Sequence, residues 1–77
     1  MVSYKPLWHT LIDKGVKKME LCKLTKMSSG TLAKLNNDQN VALDVIDRIC
    51  LALDCRIEDV VEIIRDRDDG GIEKETL

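Results

Sequence analysis

Apolar side chains recur at three- and four-residue intervals in five stretches of the chain, each bounded by a polar, charged or glycine break. That spacing lays one apolar stripe along a helix. Pro6 suits a first helical position, Leu7, Trp8, Leu11 and Ile12 follow it, and Gly15 supplies a stop, which predicts a helix over residues 6–14. A second helix, residues 18–25, turns Leu21, Cys22 and Leu24 or Thr25 inward, although Lys17 is a poor cap for it. Lys26-Met27 makes a turn. Ser28 is a good N-cap, so a third helix starts at Ser29 and ends near Leu35 or Asn36, anchored by Leu32 and Leu35. The unbroken polar run over residues 36–40 predicts an exposed loop. A fourth helix over residues 43–53 aligns Leu43, Ile46, Ile49, Cys50 and Leu53. A fifth, over residues 57–65, repeats the pattern with Ile57, Val60, Val61 and Ile64, and carries Glu58 and Asp59 at its positive end.

These elements predict an all-α fold of five helices, with one domain over residues 1–65 and a charged, glycine-containing, frayed tail over residues 66–77. A chain of 77 residues allows one modest core, and 44% apolar composition is enough to fill it. No stretch approaches the roughly 18 apolar residues of a membrane span. The start, MVSYKPLW, lacks a basic segment followed by an apolar run, so a cytoplasmic location is expected. Cys22, Cys50 and Cys55 are odd in number and lack CxxC spacing, which argues against a disulfide framework and against a metal site. They read as small buried hydrophobes. His9 is a lone surface histidine, and Trp8 reads as core packing of the first helix, with a partner or ligand surface as the other reading. With no Ser/His/acid set and no phosphate-cradling glycine loop, neither an enzyme nor a cofactor is expected.

Charge adds a direction to this picture. Residues 1–35 hold seven lysines against Asp13 and Glu20, a net +5, whereas residues 36–77 hold five basic and twelve acidic residues, a net −7. The overall −2 therefore hides a basic half. In that half lie a helix of about eight residues, a short turn, and a second helix that begins with the small residues Ser29, Gly30 and Thr31. The arrangement fits a helix-turn-helix, whose second helix enters the major groove of DNA by its N-terminal end. A groove about 12 Å wide admits such a helix when the leading side chains are small.

Two segments carry a further likeness, GVKKMELCKLTKMSSGTLAKLNND and VALDVIDRICLALDCRIEDVVEII. Over residues 4–64 the chain resembles the lambda-repressor-like, Cro-type (XRE family) helix-turn-helix regulators of compact single-domain type. Glu20-Leu21-Cys22 stands where that family has Glu-Leu-Ala, Thr25-Lys26-Met27-Ser28 where it has Thr-Gly-Ile-Ser, and Thr31-Leu32-Ala33-Lys34-Leu35 where it has Thr-Ile-Ser-Arg-Ile. The resemblance implies sequence-specific binding of double-stranded DNA by a homodimer on an inverted repeat. It also implies that Ser29, Gly30, Ala33 and Lys34 face bases. Lys18, Thr31, Asn37, Gln39 and Asn40 fall at the DNA backbone, and Lys17 and Ser28 are counted with them. Lys18 replaces a frequent glutamine, and Lys26 replaces the turn glycine near a left-handed position. Gly30 removes a base-reading side chain and leaves Lys34 as the long polar group of the helix.

The expected function is a transcriptional regulator, a repressor rather than an activator. The alternative is a helical protein-interaction module on the same fold, antitoxin-like or an anti-repressor partner, motivated by the acidic second half and Gly30. Val2, Tyr4 and Ile63 form the candidate dimer surface.

Overall fold

A computed structural model describes residues 1–65, and the tail expected over residues 66–77 lies outside them. The described chain runs β1 (Val2–Ser3), α1 (Lys5–Lys14), α2 (Lys18–Thr25), α3 (Ser29–Asn36), α4 (Leu43–Leu53), a 3-10 turn (Ile57–Asp59) and β2 (Glu62–Ile63). Local chemistry explains most boundaries. Gly15 adopts the left-handed conformation, φ 69°, and donates its N–H to Ile12 O at 3.1 Å, closing α1 where a side chain would strain the backbone. Asp54, φ 53°, closes α4 in the same conformation, and Cys55 N then donates to Cys50 O at 3.1 Å.

Helix α2 packs mainly on α4. The core is built from Leu7 and Leu11 of α1, Leu21 of α2, Met27 of the turn, Leu35 of α3, and Val45, Ile46, Ile49 and Leu53 of α4, with Tyr4 before α1 and Val60 after the 3-10 turn completing it. Each buried aliphatic side chain contributes about 1.5–3 kcal/mol by removal from water. On α4 it is Val45, not Leu43, that faces inward, and Leu43 is three-quarters exposed. Ile12, also expected to face inward, is exposed as well, and of the alternatives Leu24 and Thr25 it is Thr25 that is buried.

The fifth helix expected over residues 57–65 does not form. One 3-10 turn, Ile57–Asp59, is followed by β2, which pairs antiparallel with β1 in the register Val2↔Ile63 and Ser3↔Glu62. Helical spacing is present in this segment, but its apolar residues are all β-branched, which restricts χ1 in a helix and suits an extended strand. Arg56 N donates to Asp59 Oδ2 at 3.0 Å, and Thr10 of α1 donates its hydroxyl to Asp59 O at 2.7 Å, which holds the turn short. Ile64 N donates to Met1 O at 2.8 Å and Met1 N to Ile64 O at 3.0 Å, extending the pairing past the strand itself. The described residues therefore form a predominantly helical fold of four α-helices with one small two-stranded sheet, in place of the five helices expected. Val60, on the inner side of this segment, is fully buried, whereas Ile57 and Ile64 are exposed.

The three cysteines are free and half-buried, as small hydrophobes at the edge of the core. Burial pushes the Cys55 thiol up to about 11, with the neighbouring Cys50 and Asp59 adding to the effect, and Cys50 is raised mainly by burial too. A thiol whose folded value lies above its unfolded one contributes stability below the unfolded value and loses it as pH rises through the folded one. The melting temperature is therefore expected to fall as pH rises from 9 to 11, and Cys55→Ala to flatten that fall. A series of thermal melts across this range checks it.

Candidate nucleic-acid interface

The short connection after α2 is built from one strained residue and one cap. Lys26 ends α2 in the left-handed conformation, φ 59°, ψ 31°. Ser28 then adopts an extended backbone, and its Oγ accepts from Thr31 N at 3.1 Å, satisfying one of the first-turn N–H groups of α3 that have no intrahelical acceptor. The Ser28 and Thr31 hydroxyls are also 3.1 Å apart. Met27, between them, is buried and fastens the turn to the core.

Leu35 is fully buried beneath α3 and Leu32 is half-buried, while Ser29, Gly30, Ala33 and Lys34 are all exposed on the opposite side. These four recur at positions i, i+1, i+4 and i+5, so they share one face of the helix. None of their side chains has a hydrogen-bond partner among the described residues. Gly30 has no positive φ, and a Cβ built there would meet only Ser28 Oγ at 3.7 Å. The domain's own packing thus does not require glycine at this position. The helix end is capped, core-backed, uncharged at its tip and nearly bare of side chains.

A family model for the Cro/C1-type helix-turn-helix DNA-binding domain matches residues 6–66. The chain belongs to this family. The crystal structure of the transcriptional regulator VanUg (Form II) is similar to it, with 42% sequence identity and a TM-score of 0.81, covering 84% of this chain and 87% of that one. Among curated proteins none matches.

In this Cro/C1-type domain the other expected site residues surround α3. Lys17 and Lys18 start α2 and are exposed, as are Ser28, Asn37, Gln39 and Asn40, while Thr31 is half-buried. Asn37 closes α3 by donating its side-chain amide to Ala33 O at 3.0 Å, which engages that amide inside the fold. The following loop is held from a distance. Tyr4 N donates to Asp38 Oδ1 at 3.0 Å, and Tyr4 OH donates to Gln39 O at 2.8 Å. Tyr4 is only 2% exposed, so it belongs to the core and not to a surface patch. Val2, half-buried, and Ile63, exposed, face each other across the strand pair instead.

Sequence reasoning missed Arg48. Its guanidinium donates to Thr25 O at 3.2 Å and to Asp44 Oδ2 at 3.3 Å, tying the last turn of α2 to α4. The separation of 23 residues leaves no local signal for the first of these bonds. The turn itself carries a testable cost. A side chain in the left-handed region costs roughly 1–2 kcal/mol, offset in part by the greater unfolded-state entropy of glycine. Lys26→Gly is expected to raise stability by about 0.5–1 kcal/mol in a chemical denaturation series, with α2 and α3 unchanged by circular dichroism.

Proposed function

We propose that this domain is a sequence-specific transcriptional regulator that lays α3 in the major groove of double-stranded DNA and represses by occupying its site. Ser29, Gly30, Ala33 and Lys34 face the bases in this reading, and Lys17, Lys18, Ser28, Thr31, Gln39 and Asn40 lie along the backbone. The single observation that carries it is the leading turn of α3, exposed, capped by Ser28 and bare at Gly30 although nothing in the fold forbids a side chain there. A helix end so stripped can approach a groove floor closely, and its positive dipole favours a nearby phosphate. Membership in a DNA-binding family and the likeness to a transcriptional regulator support the same reading.

Two copies on an inverted repeat would place two such helices about 34 Å apart, one helical turn of DNA. The DNA upstream of the protein's own gene is the first duplex to test, by fluorescence anisotropy over a range of salt. Binding to a discrete inverted repeat, weakening steeply as salt rises, is the expected result. No binding to any duplex at low salt, together with tight capture of a protein partner, would instead establish an interaction module.

A further inference from the structure

Resting on this DNA-binding reading, we infer that Trp8 is a positioning residue that holds Lys18 ready for a phosphate. Lys18 Nζ lies 4.2 Å from the centroid of the Trp8 ring and donates to Asn36 Oδ1 at 2.8 Å. One ammonium thereby joins α1 through Trp8, the first turn of α2 through its own backbone, and the last turn of α3 through Asn36.

The chemistry of these partners separates Lys18 from the paired arginines and from the other lysines of the described residues. Arg48 and Arg56 are paired with the carboxylates of Asp44 and Glu58, which cancel their charge locally. The remaining lysines have no side-chain hydrogen bond or ion pair among the described residues, and so sample many rotamers. Among the described lysine and arginine side chains, Lys18 alone is held only by neutral groups, an aromatic face and an amide oxygen. It is held in place yet keeps its full charge for an anion, and it remains exposed to solvent. The ammonium has three donors and Asn36 takes one of them, which leaves donor capacity for an anion. Fixing a lysine side chain before binding removes an ordering cost that a free lysine incurs on the DNA. A carboxylate in place of Asn36 would hold the ammonium equally well and spoil it for phosphate.

The test is a double-mutant cycle on DNA affinity, with salt dependence as the second readout. Lys18→Ala should reduce the slope of log K against log salt by about 0.9, the loss of one phosphate contact. Trp8→Leu should leave that slope unchanged, because the lysine is still present, and weaken binding about two- to fivefold. In the Lys18→Ala background the same Trp8→Leu change should have almost no effect; with Lys18 present, Trp8→Phe, which keeps a ring, should retain most of the affinity lost in Trp8→Leu. An equal loss from Trp8→Leu with and without Lys18 would show that the tryptophan only supports the fold, and would overturn the inference while leaving DNA binding intact. An unmutated protein that binds no duplex would overturn both.

Discussion

Leu35→Ala is expected to lower the melting temperature by more than about 10 °C and to abolish DNA binding under conditions where the unmutated domain is saturated. Leu35 is fully buried on the inner side of α3, directly beneath the residues that face outward. Truncating such a leucine costs about 2–5 kcal/mol, the lost transfer energy plus the cavity left behind. A domain of 77 residues has only about 4–12 kcal/mol in total. One kcal/mol corresponds to roughly 4–8 °C at this size. The loss also falls where it matters most, because Leu35 is the fully buried anchor of an eight-residue helix too short to persist alone. A thermal melt by circular dichroism, with anisotropy at a temperature where most molecules remain folded, separates loss of fold from loss of the seated helix. A melting point within a few degrees of the unmutated protein would contradict the packing described.

Lys34→Ala is expected to act in the opposite way, with stability unchanged and affinity for the operator reduced about 5- to 150-fold, the range of one base contact. Lys34 is exposed, has no side-chain partner among the described residues, and is the long polar side chain on the face shared with Ser29, Gly30 and Ala33. Affinity for unrelated duplexes should fall much less, since sequence-independent binding is spread over several phosphate contacts. Paired titrations of operator and scrambled duplex at one salt concentration check this. An equal loss on both would move Lys34 from reading bases to neutralising phosphates, and would shift the source of specificity towards DNA shape.

The four α-helices were legible because each is written locally. Gly15 and Ser28 mark an end and a beginning, the polar run over residues 36–40 separates α3 from α4, and the apolar stripes between them have helical spacing. Helix α2 matched its expected bounds despite an uncapped start, since packing on α4 compensates for Lys17. The segment after Ile57 failed the same reasoning. Its spacing is helical, but its partner is Val2–Ser3 at the far end of the chain, and no local pattern announces that pairing. The exposed face of α3 could be read from Leu32 and Leu35, which fix the opposite face. The contacts that orient the site could not, because Arg48 to Thr25, Tyr4 to Gln39 and Lys18 to Trp8 each join separate elements through a single side chain.

Pairing of Met1 with Ile64 closes residues 1–64 into a ring through two hydrogen bonds. Tyr4 then divides that ring by fastening its start to Asp38 and Gln39 near its middle. The result is a figure of eight with Tyr4 at the crossing. One loop holds α1, α2 and α3, and the other holds α4 and the short turn. The end of α3 is thus held by an anchor distinct from the strand pairing.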